Sequence, residues 1–266
     1  MSLILPSILT IAGSDPSGGA GIQADLKTAA ALGVYGSSVI TALTAQNTTG
    51  VFLTETVGRE MLAAQLEAVF TDIPPKTVKI GMAGASISIK TIAEKLAKYN
   101  QAPVILDPVM VSTSGHSLLN PEDVKNLTSR LFPLAALITP NIPEAEALLS
   151  TRGRRICTEK DMEEAAMELS HMFQTSFLLK GGHSARGADD VLCCSGSVTW
   201  FPGKRIDNPN THGTGCTLST AIACGLARGM ELEESIRAAK SYLNGALKAG
   251  LTLGKGRGPL WHGWNA

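Results

Sequence analysis

Ten consecutive residues, Asn210-Thr211-His212-Gly213-Thr214-Gly215-Cys216-Thr217-Leu218-Ser219, set a glycine-punctuated turn directly before a long run of small residues. The pattern predicts a helix N-terminus at which the backbone N–H groups of Gly213, Thr214, Gly215 and Cys216 lack intrahelical acceptors. The helix dipole adds about half a positive charge there, so the turn suits the negative charge that gathers on a phosphoryl group. Cys216 stands in the same first turn, where a helix terminus is expected to lower a thiol pKa and make the thiolate a proton acceptor. The plainer reading is a turn followed by a small core cysteine. Gly-x-x-x-x-Gly-Lys-[Ser/Thr] occurs nowhere, so a phosphate held here is not held by a P-loop.

Further polar residues follow short apolar runs. Gly13 to Gly21, with Gln23 and Asp25, follow the first run; Gln46-Asn47 the second; Gly81-Met82 the third; Asp107-Pro108-Val109-Met110 the fourth. Thr139-Pro140-Asn141, with Glu144, and Lys180-Gly181-Gly182-His183 follow the fifth and sixth. Each has an alternative reading. Asp107 before proline is a common turn former. Asn141 can cap a helix in which Pro143 presets φ and Glu144 complements the dipole. Lys180 also fits a solvated surface charge on a half-buried stem, and Met82 a core side chain. The first loop lacks Gly-x-Gly-x-x-Gly, which excludes a Rossmann dinucleotide site.

The elements that must position these residues alternate along the chain. Strands are expected at 7–13, 37–44, 77–81, 103–107, 136–140 and 176–181, and helices at 20–32, 58–71, 86–99, 121–131, 143–150, 159–173, 214–229 and 231–250. This predicts an α/β fold with a mostly parallel sheet covered by helices on both faces. Residues 188–202 read as an antiparallel hairpin at a sheet edge. Ligands of such sheets bind beyond the carboxyl ends of the strands, so six strand ends and the anion turn should meet on one rim.

Composition bounds the function. A chain of 266 residues with 44% hydrophobic and 17% charged content suits one domain over 1–266. Lys plus Arg equals Asp plus Glu at 23 each, which supplies no field for nucleic acid or an acidic membrane. Five cysteines without metal-ligand spacing give neither a zinc site nor a disulfide framework, and point to a reducing compartment. The first residues lack a basic n-region, and Gln46-Asn47-Thr48-Thr49 interrupts the longest uncharged stretch, so a cytoplasmic protein is expected and the sequons at Asn47 and Asn126 carry no glycan.

In order along the chain, Ile11 to Lys27, Thr44-Ala45-Gln46-Asn47, Lys79-Ile80-Gly81-Met82, Asp107-Pro108-Val109-Met110, Thr139 to Ala145 and Gly213-Thr214-Gly215-Cys216-Thr217 resemble the motifs of the hydroxymethylpyrimidine/phosphomethylpyrimidine kinases of thiamine biosynthesis, in the ribokinase-like superfamily. The resemblance covers essentially the whole chain. It implies a ribokinase-like fold and phosphorylation by ATP of 4-amino-5-hydroxymethyl-2-methylpyrimidine, first to the monophosphate and then to the diphosphate. It assigns Cys216 as base, with Gly213, Thr214 and Gly215 holding the transferring group. Gln46 would read the 4-amino group and ring nitrogen, Met82 and Val109 would cover the ring, and Gly13, Ala20 and Asp25 would lie near its substituents. Lys180, Asn141, Gly213 and Gly215 would meet the nucleotide, while Glu144 and Asp107 would hold Mg²⁺ through its waters. A lid over Val111 to Leu118 and a homodimer are also implied. The alternative is a pyridoxal or pyridoxine kinase of the related branch; Ser112, where that branch typically has cysteine, favours the pyrimidine. A protein that binds the pyrimidine without catalysis is disfavoured by the intact turn, Glu144 and Lys180.

Overall fold

A computed structural model describes residues 4–110, 119–149, 155–182 and 187–265. The expected lid at 111–118, Ser112 within it, and His183 lie outside the described residues.

The first βα units are β1 (Ser7–Ser14), α1 (Gly21–Ala31), β2 (Tyr35–Asn47), β3 (Gly50–Thr56), α2 (Arg59–Asp72), β4 (Thr77–Ile80) and α3 (Ser86–Tyr99). Then come β5 (Val104–Leu106), α4 (Pro121–Asn126), β6 (Leu137–Ile138), α5 (Ile142–Leu148), α6 (Glu159–Phe173) and β7 (Ser176–Leu179). The chain ends with the hairpin β8 (Asp190–Cys194) and β9 (Ser197–Phe201), followed by α7 (Thr214–Ala227) and α8 (Leu232–Lys248). Nine strands form one sheet in the order β3-β2-β1-β4-β5-β6-β7-β8-β9. Strands β2, β1, β4, β5, β6 and β7 are mutually parallel; β3, β8 and β9 run antiparallel to their neighbours. The chain first winds from β1 to β2 and then restarts at β4 on the other side of β1. That reversal opens a crevice beyond the ends of β1 and β4.

Strand alternation assigns the two cores. Leu9, Ile11, Val78, Ile80 and Leu106 pack on the side that holds Leu62, Ile92, Phe132 and Leu169 of the helical layer α2 to α6. Ile8, Ile105, Leu137 and Leu178 face the opposite side, against Leu218, Ile222 and Ile236 of α7 and α8. Period two then directs Thr10, Lys79, Asp107 and Lys180 toward the α7 side. The site is built there.

Two elements depart from expectation. The 188–202 hairpin forms the predicted edge, but the opposite edge is also an antiparallel ribbon, because β2 runs on to Asn47 and turns into β3. The Asn47 side chain accepts from the N–H and hydroxyl of Thr49 to make that turn. Its apolar residues Val51, Phe52 and Leu53 are all exposed, so β3 has no in/out alternation to betray it. The helix expected over 121–131 ends as α-helix at Asn126 and passes into a π turn over Leu127–Leu131. Among the described residues no helix is long and apolar enough to cross a membrane.

Candidate active site

Gly213 caps α7 with φ of 84°, and a Cβ there would overlap the carbonyl oxygen of Gly19. Only glycine fits, and its close approach docks the loop after β1 onto the start of α7. Thr217 N–H is the donor that reaches back to Gly213 O, at 2.9 Å, so the amides of Gly215 and Cys216 precede the first intrahelical bond of α7. A Cβ on Gly215 would stand 3.1 Å from Asp107 Oδ2 and 3.4 Å from Lys180 Nζ. Lys180 Nζ in turn lies 2.8 Å from Asp107 Oδ1. The anion turn therefore faces an acid–base pair from the ends of β5 and β7.

The Cys216 thiol does not behave as its helix position suggested. Desolvation raises its pKa, and the carboxylates of Asp25 and Asp107 add to that, while Lys79 and the N–H of Gly21 act in the opposite sense and lose. At neutral pH the sulfur is a thiol. The helix terminus still orders the turn, but burial among carboxylates outweighs its field.

Asp25 lies in the interior of the protein. Its carboxylate is fully buried and accepts from Lys79 Nζ at 2.8 and 3.0 Å, Thr220 Oγ1 at 2.7 Å and Thr10 Oγ1 at 2.5 Å. Those donors use its acceptor sites and make Asp25 the counter-ion of Lys79. Burial opposes the charge on Lys79, but Asp25, with Cys216 and Asp107 further off, holds its pKa above the usual lysine value.

Glu144 and Asn141 form a capping box on α5. Asn141 Oδ1 accepts from Glu144 N–H at 2.9 Å and Glu144 Oε2 accepts from Asn141 N–H at 2.9 Å. Glu144 Oε1 accepts from Met110 N–H at 3.0 Å, which ties the segment after β5 to α5. Burial raises the Glu144 pKa; Lys180 offsets part of this and Asp107 adds to it. Lys180 is held above its usual value despite desolvation, because Asp107 and Glu144 both face it. Among the described residues no group of three or more His, Cys, Asp or Glu is placed to hold a metal. The donor set fits an ion held through its own waters against Asp107 and Glu144, whose oxygens accept from Lys180, Asn141 and Met110 yet retain second lone pairs.

The opposite wall carries the residues expected to meet a ring. Ala20, Gln46, Met82 and Val109 are half-buried, while Gly13 is buried where a Cβ would overlap Met82 Cε. Val109 has φ of 42°, a costly conformation for a β-branched residue. Two residues that sequence reading passed over complete this wall. Asp15 accepts from Ser17, Gly19 and Ala20 N–H groups and from the Ser17 hydroxyl, and its Oδ2 is 2.9 Å from His212 Nε2. Burial would raise its pKa, but the hydrogen bonds of His212 and Ser17 outweigh that and bring it to about 2. His212 Nε2 is also 3.2 Å from the Gln46 amide. The Asp-Pro-Ser signature of a side-chain-capped turn, and an imidazole next to the capping glycine, were the available signals.

The chain is similar to known proteins over nearly its whole length. Residues 15–261 match the family model described as phosphomethylpyrimidine kinase. The chain is 50% identical over 258 residues to the hydroxymethylpyrimidine/phosphomethylpyrimidine kinase of Rhizobium meliloti, covering 96% of each. It is also 50% identical to the thiamine biosynthesis bifunctional protein ThiED of Geobacter sulfurreducens, with 96% of this chain matched but only 52% of that protein's length. Among solved structures it resembles an ADP complex of Bacillus subtilis pyridoxal kinase, at 34% identity, TM-score 0.88, and 97% and 98% coverage of the two chains.

Proposed function

The chain belongs to the phosphomethylpyrimidine kinase family, and from that premise we propose that its crevice performs both phosphorylations of 4-amino-5-hydroxymethyl-2-methylpyrimidine, with ATP as donor, as a cytoplasmic step of thiamine biosynthesis. The observation that carries the reading is the α7 turn at Gly215 and Cys216 set against Asp107 and Lys180. Oriented amides and a lysine stabilise charge on a transferring phosphoryl group without having to reorganise. Gln46 faces the aminopyrimidine edge, Met82 and Val109 enclose the ring, and Asn141 and Lys180 meet the nucleotide. Magnesium, when bound through its waters to Asp107 and Glu144, supplies neutralisation of phosphate oxygens. The thiolate of Cys216, a minor form at neutral pH, accepts the hydroxyl proton in the first step; in the second, the nucleophile is an anionic phosphate that needs little activation. A homodimer would cover the exposed apolar edge of Val51, Phe52 and Leu53 on β3.

The pyridoxal kinase reading is supported by the Bacillus subtilis neighbour's fold, but at lower identity than the pyrimidine kinases. Products formed from hydroxymethylpyrimidine, its monophosphate and pyridoxal with excess Mg-ATP, resolved by mass, test the choice. Gln46→Leu should lower kcat/KM for the pyrimidine by about one to two orders of magnitude, because buried polar groups of the substrate lose partners, and should cost pyridoxal less. Wild-type preference for pyridoxal, or equal losses on both, would overturn the assignment.

A further inference from the structure

Gln46 can discriminate only if its amide is held in one orientation, since its oxygen and nitrogen ends are nearly isosteric and a freely rotating amide fits either a donor or an acceptor edge. Two neighbours contact its ends. His212 Nε2 lies 3.2 Å from one, with the nitrogen end drawn toward it, and Thr44 Oγ1 lies 3.3 Å from the other.

The protons of both neighbours are fixed by groups that only accept. Asp15 Oδ2, 2.9 Å from His212 Nε2, belongs to a carboxylate 3% exposed that already collects the N–H groups of its own loop. The imidazole tautomer with a bare Nε2 would set two acceptors against each other, so Nε2 carries a hydrogen. That one N–H lies between Asp15 Oδ2 at 2.9 Å and the Gln46 end at 3.2 Å, and of the two amide ends only the carbonyl can accept a share of it. On the other side, the single Thr44 hydroxyl proton goes to Ser14 O, at 2.9 Å, a carbonyl that cannot donate. Thr44 Oγ1 then offers Gln46 only lone pairs, which the NH₂ end satisfies. Both neighbours require the same orientation, with the oxygen toward His212 and the nitrogen toward Thr44.

The ring of His212 is itself immobilised. A Cβ on Gly19 would press on its Cδ2, and its backbone pairs with the segment at Pro259 and donates to Gly258 O. Asp15 and His212 are 197 residues apart in sequence and meet only because the loop after β1 docks on the α7 turn.

We propose that Asp15 and His212 are specificity-determining positioning residues: they lock the Gln46 amide so that its second N–H and second lone pair meet the substrate edge in one fixed order. This rests on the reading of Gln46 given above. The locked order suits a 4-amino group beside an unprotonated ring nitrogen and rejects the reversed edge, a 4-oxo group beside a ring N–H.

The test compares kcat/KM for 4-amino-5-hydroxymethyl-2-methylpyrimidine with that for its 4-oxo analogue, 5-hydroxymethyl-2-methylpyrimidin-4(3H)-one. Wild type should prefer the amino compound by about a hundredfold or more. His212→Phe should cut that preference by about tenfold, mostly through KM, as the released amide turns to accept the oxo edge. His212→Gln should restore most of it, since an amide NH₂ can donate to both Asp15 and the Gln46 oxygen. Thr44→Val, which removes the other anchor with little change of shape, should move the ratio in the same direction as His212→Phe. Equal losses on both substrates in His212→Phe and Thr44→Val would reduce these residues to structural roles and overturn the proposal. Collapse of the preference in Gln46→Leu but not in either anchor variant would overturn this inference alone. An unchanged preference in Gln46→Leu would overturn the reading of Gln46 and this inference with it.

Discussion

Lys79 and Asp25 form an ion pair that solvent does not reach, with the ammonium 2.8 and 3.0 Å from the two carboxylate oxygens. Thr10 of β1 and Thr220 of α7 complete the carboxylate's shell. One charge pair thus joins α1, β1, β4 and α7 below the turn that carries Cys216. It also acts on the thiol directly, Lys79 favouring and Asp25 opposing ionisation.

Removing only the cation should therefore be far worse than removing both charges. Lys79→Met leaves Asp25 buried with two hydroxyl donors and is expected to cost about 3–5 kcal/mol. Lys79→Met combined with Asp25→Leu should recover a substantial part of that. Denaturant unfolding of the single and double variants measures the difference, and a double variant no more stable than the single would show that the pair is not the anchor described here.

This pair also marks how far sequence reading reached. The succession of strands and helices and the helix N-terminal turn were legible, because short apolar runs and glycine placement are local signals, and they brought Gly215, Asp107 and Lys180 to one crevice. What was not legible is which polar residues face the ligand and which face each other. Asp25 and Lys79 are 54 residues apart, and nothing local in either says that they meet. The Asp15–His212 contact fails for the same reason. Edge strand β3 escaped because its buried side is absent, and the expectation of a lowered Cys216 pKa failed because a local dipole argument omits the burial, and after it the carboxylates, that tertiary structure imposes on the sulfur.

Glu144→Gln is expected to act first on stability. The carboxylate accepts two backbone N–H bonds, and a glutamine can offer an oxygen to only one of them, turning its NH₂ on the other donor. Loss of about 1–2 kcal/mol follows, from the weakened cap and one mispaired buried N–H. A raised Mg²⁺ requirement with unchanged thermal stability would instead mean that Glu144 acts mainly on the metal.

Gly213→Ala should separate the loop after β1 from α7. The residue combines a left-handed φ with a Cβ position overlapping Gly19 O, so the variant must pull the loop away or distort the turn. A cost of about 1–3 kcal/mol is expected, with a larger fall in kcat/KM than Gly250→Ala, which also has positive φ but no backbone contact that close. Comparable activity losses in the two variants would show that the contact with Gly19 does not matter to the site.

The acid limb of stability should report Asp15. Its pKa falls from 3.8 to about 2 on folding, so the folded state gains from the ionised form. The sign follows from proton uptake: the stabilisation is complete above the unfolded value and is lost as pH falls through the folded one, over about pH 4 to 2. Asp15→Asn should be less stable than wild type at neutral pH, with the gap narrowing over that window. A constant gap from pH 7 to pH 2 would place the stabilising role elsewhere.

Cys216 should give the two phosphorylations different pH profiles. Desolvation, with Asp25 and Asp107, holds its pKa above the ordinary thiol value, so the thiolate fraction at pH 7 is below the few per cent of a free cysteine. If the thiolate accepts the hydroxyl proton, the first-step rate rises about tenfold per pH unit between pH 7 and 9. The second step begins from an anionic phosphate and should be nearly flat. Cys216→Ala should abolish the slope and depress the first step far more than the second. The same shift predicts a stability effect of opposite pH sense to that of Asp15: a folded pKa raised above the unfolded one gives stabilisation that is full below the unfolded value and lost as pH climbs through the folded value. The alanine variant should lack that alkaline decline. Single-turnover rates for each step across pH 6 to 10 decide the matter, because a first step that is flat in wild type, or keeps its slope without the sulfur, removes Cys216 from the role of base.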